Sequence, residues 1–236
     1  MLAAILTIGN EIVSGDTPNT NASWLARQLE PLGVKVVLIA AVPDNQERIV
    51  EFLRREKPRV DHVLVTGGLG GTPDDITREA IAAAFEVPQE LIPELADDLR
   101  ARFTGNPDYV TPWAALPRGA RPLENPLGGA PGFQLEQVWV FPGLPREMEA
   151  MFLRYADEFR TATPIEVWRR REATRESALT EALEHATREW PEVSVGSYPH
   201  FTPQGPEVEV VLKSSDPAQL QAAVAYMDTE LDRVTR

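Results

Sequence analysis

Short continuous apolar runs alternate with amphipathic segments over the first third of the chain. The continuous runs predict strands covered on both faces of a parallel sheet, and apolar residues spaced three and four apart predict helices. In chain order the predicted strands and helices are Leu2–Ile8, Asn21–Leu32, Val34–Val42, Asn45–Glu56, His62–Thr66 and Ile76–Phe85. Thr20 or Asn21 is the expected N-cap of the first helix. This alternating βαβαβα order predicts an α/β fold with a doubly wound, mostly parallel sheet.

The rest of the chain divides near residue 161. Before that point the pattern predicts a helix, an irregular segment, three short strands at the sheet edge and a long helix: Pro88–Phe103, Gly105–Pro117, Arg121–Glu124, Gly132–Leu135, Val138–Phe141 and Leu144–Arg160. After it, strands and helices are predicted at Ile165–Ala173, Ser177–Trp190, Val193–Tyr198, Glu207–Lys213 and Asp216–Arg233, with a turn-rich Pro199–Pro206. The sequence therefore predicts two domains, residues 1–161 and a smaller βαββα domain at residues 165–236.

Charge and composition narrow the classes of function. A net charge of −13 argues against a broad surface for nucleic acid or anionic membranes. With no cysteine, the chain has no disulfide, zinc–cysteine site or thiol nucleophile. No apolar stretch approaches the about 18 residues of a membrane span, and the first residues lack a basic signal-peptide region. We expect a cytoplasmic protein that binds neither nucleic acid nor membrane.

The most informative segment is the glycine-rich stretch Thr66–Thr77, which lies between a predicted strand and a predicted helix. Gly67, Gly68, Gly70 and Gly71 allow backbone conformations closed to other residues, and with Thr72 they expose consecutive N–H groups. At the carboxyl end of a parallel strand this arrangement predicts a site for phosphate. The alternative is a tight turn whose acidic residue only caps the following helix.

Four acidic residues are expected near this loop. Asp74 and Asp75 follow the glycines directly, and carboxylates beside a phosphate favour a divalent cation between them. Glu11 follows the first strand and Asp44 the second, so both should reach the same edge of the sheet. Asp44 has the alternative role of capping the helix that begins near Asn45.

Six motifs occur in an order that resembles a known family. They are Ile8-Gly-Asn-Glu11, Asn19-Thr-Asn-Ala-Ser-Trp-Leu-Ala26, Val42-Pro-Asp-Asn45, the Thr66–Thr77 loop, Asn125-Pro-Leu-Gly-Gly-Ala-Pro-Gly-Phe133 and Phe141-Pro-Gly-Leu-Pro-Arg-Glu-Met148. Together they resemble the N-terminal region of the competence/damage-inducible CinA proteins, which is similar to the molybdopterin-binding MoaB/Mog domain and to part of the FAD synthases. The tail, with Val195-Gly-Ser-Tyr-Pro199, resembles the KH-like domain that follows in CinA. The amidase domain of longer CinA proteins is expected to be absent.

The resemblance implies a pocket for a phosphorylated pterin or nucleotide. It implies a metal-dependent pyrophosphatase acting on ADP-ribose-like dinucleotides with Mg²⁺, Mn²⁺ or Co²⁺. The alternatives are a molybdopterin adenylyltransferase and a non-catalytic binder of molybdopterin or nucleotide. It also implies self-association into a homo-oligomer.

The same resemblance carries roles onto particular residues. Asp75 and Asp44 are the predicted catalytic residues. With Glu11 they are also the predicted metal ligands. Phosphate and nucleotide contacts are predicted for Gly67, Gly68, Gly70, Gly71, Thr72, Asn21 and Glu11.

Three positions depart from the family pattern. Gly71 stands where the family usually has proline, and Asn19 and Asn10 stand where aspartate is common. Losing one or two carboxylates is expected to weaken a metal site. The run Arg169–Arg171 is interpreted as a solvated strand face rather than a nucleic-acid patch.

Overall fold

The computed structural model describes residues 1–103 and 105–234 of the chain. Its contacts divide the chain into two compact units. The first unit comprises Met1–Glu30 and Val34–Arg160, and the second comprises Pro31–Gly33 and Thr161–Arg236. The short segment Pro31–Gly33, which the sequence assigned to the first domain, thus groups with the second unit.

A six-stranded sheet forms the centre of the first unit. The strands of this unit are β1 (Leu2–Ile8), β2 (Lys35–Val42), β3 (His62–Thr66), β4 (Gln89–Leu91), β5 (Ala115–Pro117), β6 (Arg121–Leu123), β7 (Gly132–Leu135) and β8 (Val138–Phe141). The sheet order is β2-β1-β3-β8-β7-β6. The pairs β1–β2, β1–β3 and β3–β8 are parallel, whereas β7 pairs antiparallel with both β8 and β6. The predicted α/β fold with a mostly parallel sheet is confirmed.

Helices cover the faces of this sheet. They are α1 (Asn10–Val13), α2 (Thr20–Leu29), α3 (Gln46–Glu56), α4 (Thr77–Ala84), α5 (Pro93–Arg102), α6 (Pro107–Val110) and α7 (Pro145–Tyr155). Strands β1, β3 and β8 are buried along almost their whole length. Because these central strands are covered on both faces, they are apolar without alternation.

Local predictions failed at several places in the first unit. The N-cap of α2 is Asn19, whose side chain accepts a hydrogen bond from the Ala22 amide at 3.2 Å, and not Thr20 or Asn21. The segment predicted as one helix from Pro88 begins with β4, and α5 starts only at Pro93. Proline favours that position because the first helical residue needs no N–H donor.

The segment predicted as irregular, Gly105–Pro117, is ordered along most of its length. It contains α6, a 3₁₀ turn at Thr111–Ala114 and β5, which pairs with β4. Short elements of this kind have no readable period in the sequence, and they form because Val110, Trp113 and Leu116 pack into the core.

The second unit has the predicted βαββα order. It consists of β9 (Glu166–Glu172), α8 (Thr180–Glu189), β10 (Ser194–Thr202), β11 (Gly205–Ser214) and α9 (Pro217–Val234), with an antiparallel sheet in the order β10-β11-β9. The predicted broad turn at Pro199–Pro206 is wrong. Strand β10 continues to Thr202, and Pro199 is tolerated because β10 is an edge strand.

The three arginines Arg169–Arg171 of β9 form ion pairs with acidic neighbours. Arg170 pairs with Glu172, Asp228 and Asp232, while Arg169 and Arg171 both lie near Glu209.

Across residues 1–103 and 105–234, no helix combines the length and the apolar character that crossing a membrane requires.

Candidate functional site

The loops that follow the parallel strands border a cleft of about 520 Å³ in the first unit. The carboxyl ends of β1, β2, β3 and β8 meet at this edge of the sheet, where ligands bind in open α/β folds. The segment after β3, Gly67–Asp75, is called the glycine loop below. Six of the predicted site residues line the cleft: Glu11, Asp44, Gly67, Gly68, Gly70 and Asp75. The other three, Gly71, Thr72 and Asn21, are not among the described residues that line it.

Two of the glycines are required by close backbone approach. Gly67 and Gly68 have φ angles of +111° and +65°, which side chains disfavour. A Cβ atom at Gly67 would lie 2.2 Å from the Ile8 carbonyl oxygen, and one at Gly68 would lie 2.2 Å from Thr77 Oγ1. The glycines therefore let the loop lie directly against β1 and the start of α4.

Asp75 holds the glycine loop closed. Its Oδ1 accepts a hydrogen bond from the Gly70 amide at 2.8 Å, and its Oδ2 accepts from the amide and hydroxyl of Thr72 at 2.8 and 2.5 Å. It does not cap α4, which begins at Thr77 without a side-chain cap. Two of the amides predicted to meet phosphate, those of Gly70 and Thr72, are thus occupied by a carboxylate of the protein itself.

The remaining amides of the loop stay available. Within the described residues, the N–H groups of Gly68, Leu69 and Gly71 donate to no other protein atom. They lie at the carboxyl end of β3 beside the cleft. Unpaired backbone amides of this kind form an anion-binding nest.

Arg78 supports the loop from below and was not predicted from the sequence. Its two terminal nitrogens donate to the carbonyl oxygens of Leu69 and Gly70, both at 2.8 Å, and only 5% of the residue is exposed. Burial lowers the pKa of Arg78, against the opposing charges of Asp75 and Glu79. The only hint in the sequence is its position three residues after Asp75.

Three carboxylates of the cleft form a cluster: Glu11, Asp44 and Asp74, the last of which belongs to the glycine loop. Asp44 Oδ2 accepts a hydrogen bond from the Asn10 amide at 2.8 Å. The pKa of Asp44 is raised, first by burial and then by the negative charges of Glu11 and Asp74. Asp44 does not cap α3, since the Asn45 side chain does so by accepting from the Arg48 amide.

A metal ion would need more than these side chains alone. Within the part of the chain that the structure describes, no three His, Cys, Asp or Glu residues are arranged to hold a metal ion. Asp75, a predicted ligand, is turned to the loop amides instead. Magnesium is usually held by one or two carboxylates together with oxygens of a bound phosphate. The carboxylate cluster fits a cation that a phosphate ligand helps to coordinate.

Asn21 is buried next to the cleft and lines a smaller neighbouring pocket. Its Nδ2 donates to Thr66 Oγ1 at 3.0 Å and to the Gly143 carbonyl oxygen at 2.8 Å, and Thr66 Oγ1 donates to the Pro142 carbonyl oxygen. Asn21 therefore joins the end of β3 to the loop after β8. Both amide protons of Asn21 are already used within the protein. Its predicted contact with nucleotide stays a prediction.

Other cleft residues were not among the predicted site residues. Tyr109 and Trp113 line it from α6 and the turn after it, and Glu147 lines it from α7. Glu147 is held by a hydrogen bond from Asn125 Nδ2 at 2.8 Å. An aromatic residue in a proline-rich segment does not by itself indicate a binding site, so Tyr109 and Trp113 could not be assigned to the cleft from the sequence.

Residues 4–161 match the profile of the family described as "Probable molybdopterin binding domain". The chain belongs to this family. Its molybdopterin-binding domain thus contains the glycine loop, the carboxylate cluster and the whole cleft. Residues 172–235 match the profile described as "FAD synthase, middle domain".

Individual relatives place this molybdopterin-binding domain among CinA-like proteins, as the resemblance predicted. A protein of Archaeoglobus fulgidus is 37% identical over 199 residues, which cover 83% of this chain and 84% of that protein. A CinA-like protein of Parasynechococcus marenigrum is 43% identical over 161 residues, 63% of this chain but 38% of its own length. The crystal structure of the CinA protein of Thermoplasma acidophilum matches 68% of this chain and 100% of that chain, with 32% identity and a TM-score of 0.64.

Proposed function

We propose that the cleft binds a nucleotide or pterin that carries a diphosphate, and that the protein hydrolyses the diphosphate bond of ADP-ribose-like dinucleotides with a divalent cation. One observation carries the proposal. The cleft presents unpaired loop amides for an anion next to carboxylates that repel one another. An anionic ligand can lie between the amides and the carboxylates only if a cation neutralises the carboxylates. The amides and the carboxylates therefore both fit a complex of a phosphate ligand with a cation.

The amides of Gly68, Leu69 and Gly71 would hold the phosphate oxygens. Arg78 strengthens this side, because a guanidinium bound to the Gly70 carbonyl oxygen polarises the peptide that carries the Gly71 N–H. Its charge lies under the loop, where little water screens it. Bound in this way, the diphosphate keeps its oxygens directed toward the carboxylate cluster.

Glu11 and Asp74 would hold a divalent cation together with phosphate oxygens. When bound, such a cation neutralises charge on the diphosphate and polarises the phosphoryl group that is attacked. Asp44 Oδ1 would take the proton of the attacking water, since Oδ2 already accepts from Asn10. A raised pKa improves a carboxylate as a proton acceptor. The water oxygen bonds to one phosphorus while the bridging P–O bond breaks and the other phosphate leaves, so ADP-ribose and water yield AMP and ribose 5-phosphate.

Incubation of the purified protein with ADP-ribose, FAD and ATP tests the proposal. Each substrate is combined with Mg²⁺, Mn²⁺ or Co²⁺, and EDTA is then added. The proposal predicts formation of AMP and ribose 5-phosphate from ADP-ribose, stopped by EDTA. Tight binding without turnover under every metal would refute hydrolysis and leave a non-catalytic binder.

The non-catalytic reading has one observation in its favour, because no three-residue metal site is formed in advance among the described side chains. The adenylyltransferase reading would require product only when ATP and molybdopterin are supplied together. The same set of incubations, extended by that pair, separates the three readings. Self-association stays a prediction from the resemblance, and sedimentation would test it.

A further inference from the structure

Three aromatic residues form a wall beside the glycine loop: Phe103, Tyr109 and Trp113. Tyr109 and Trp113 line the same cleft as the loop amides and the carboxylate cluster. The structure assigns no part to this wall in holding phosphate or cation, since its rings carry no charge. The proposed ligand, however, has an uncharged heterocycle that must also lie somewhere in the cleft.

The wall touches the glycine loop directly. A Cβ atom at Gly71 would lie 2.8 Å from Cε2 and 2.9 Å from Cζ of Tyr109. The Tyr109 ring therefore packs on the backbone of the residue whose N–H is unpaired. A ligand with its phosphate on that amide would have its next groups within reach of the ring.

Packing from behind fixes the orientation of Tyr109 while leaving much of it open. Phe103 stacks on it with ring centroids 6.0 Å apart and an interplanar angle of 26°, and Trp113 meets it at 5.7 Å and 69°. Even so, 42% of Tyr109 is exposed. An aromatic ring held in this way offers a preformed surface on which a flat ring can stack.

Trp113 closes the wall behind Tyr109. Only 7% of the residue is exposed, and its ring packs against both Phe103 and Tyr109. Its Nε1 is buried, so the surface that the wall offers to a ligand is the exposed Tyr109 ring.

We propose that the aromatic wall binds the nitrogen heterocycle of the ligand. Tyr109 stacks on the ring, and Trp113 with Phe103 holds the tyrosine ring in position. This inference rests on the proposed function, because it assumes that the diphosphate lies on the glycine loop. The chemistry recognised is that of a flat heterocycle, which nucleobases and pterins share.

Two probes that cannot be hydrolysed separate the heterocycle from the diphosphate. They are α,β-methylene-ADP, which has a base, and methylenediphosphonate, which has none. Their affinities are measured by calorimetry in the presence of Mg²⁺ for the parent and for Tyr109→Ala, Tyr109→Phe and Trp113→Phe. Tyr198→Ala is the control, since Tyr198 is half exposed in the second unit.

Stacking of a base on an aromatic side chain predicts that Tyr109→Ala weakens α,β-methylene-ADP binding about 5- to 150-fold. Methylenediphosphonate binding should stay unchanged. Tyr109→Phe keeps the ring and should keep the affinity, and Trp113→Phe keeps an aromatic ring behind Tyr109 and should change the affinity little. Tyr198→Ala should change neither. A parallel titration with 6-hydroxymethylpterin diphosphate, repeated on Tyr109→Ala, shows which heterocycle the wall prefers.

The outcomes distinguish this inference from the proposed function. If folded Tyr109→Ala binds α,β-methylene-ADP as tightly as the parent, or loses affinity equally for both probes, the wall does not bind the heterocycle. If the parent binds none of the probes, the proposed function itself is refuted, and this inference with it.

Discussion

The two sides of the cleft are built in different ways. The glycine loop is shaped by hydrogen bonds to charged groups, with Asp75 on its amides and Arg78 on its carbonyl oxygens. The aromatic wall is shaped by ring packing among Phe103, Tyr109 and Trp113. From this difference we expect the glycine-loop side to bind the charged groups of a ligand and the aromatic wall to bind its flat ring. Substitutions on the two sides should therefore affect different probes.

The largest effect is expected at Asp44, on the charged side. Asp44→Asn keeps the acceptor for the Asn10 amide but removes the proton acceptor, so turnover of ADP-ribose should fall about 10²- to 10⁴-fold. Steady-state kinetics measure this, and circular dichroism checks the fold. Asp97→Asn, an exposed carboxylate paired with Arg100, is the control. Turnover by Asp44→Asn at the parent rate would remove Asp44 from the mechanism.

The next effect separates two roles for Asp75. Because its carboxylate accepts bonds from Gly70 and Thr72, Asp75→Ala should lower the free energy of unfolding by about 1.5–3 kcal/mol and weaken methylenediphosphonate binding. Urea unfolding and calorimetry measure the two changes. Asp74→Ala removes the neighbouring exposed carboxylate and should leave the stability nearly unchanged. Full stability of Asp75→Ala with loss of turnover alone would instead support the metal-ligand role that the sequence suggested.

A third change tests whether Arg78 shapes only the charged side. Arg78→Met fills a similar volume but frees the Leu69 and Gly70 carbonyl oxygens, each at a cost of about 1–3 kcal/mol if buried and unpaired. We expect weaker binding of methylenediphosphonate, with the aromatic wall unaffected in tryptophan fluorescence. Arg48→Met, on an exposed helical pair, is the matched control and should change stability little. Unchanged binding by Arg78→Met would show that the loop holds its shape without the guanidinium.

The smallest effect concerns pH. Burial and the charges of Glu11 and Asp74 raise the pKa of Asp44, so the folded protein binds a proton there more readily than the unfolded chain. The charged Asp44 should therefore cost stability at pH 7, and this cost should be relieved as the pH falls through its folded pKa toward the unfolded value. Relative to the parent, Asp44→Asn should be more stabilising at pH 7 than near pH 4. Urea unfolding at both pH values measures this, and an equal difference at both would contradict the raised pKa.

The charged side was largely predictable, because glycines and carboxylates at the ends of strands indicate a phosphate or cation site from residue type and position alone. Glycines after a buried strand, with Glu11, Asp44, Asp74 and Asp75 at strand ends, pointed to one edge of the sheet. The inward turn of Asp75 was not predictable, since the same sequence allows a carboxylate to face loop amides, a helix end or a cation. Only the packed geometry chooses among these.

The aromatic side was not predictable, and the reason is physical. Tyr109 and Trp113 lie in short elements whose position depends on contacts with Gly71 and with core residues that are distant in sequence. The central strands, by contrast, are long apolar runs that only a covered sheet accommodates. Periodicity therefore predicted the scaffold, while the wall depended on tertiary packing alone.

A crystal structure with α,β-methylene-ADP and Mn²⁺ tests the central claim most directly. The account predicts phosphate oxygens within hydrogen-bond distance of the Gly68, Leu69 and Gly71 amides, with the manganese signal between those phosphates and the carboxylate cluster. A diphosphate held elsewhere, for instance on Arg169–Arg171 of the second unit, or a diphosphate bound with no cation beside Asp44, would contradict it.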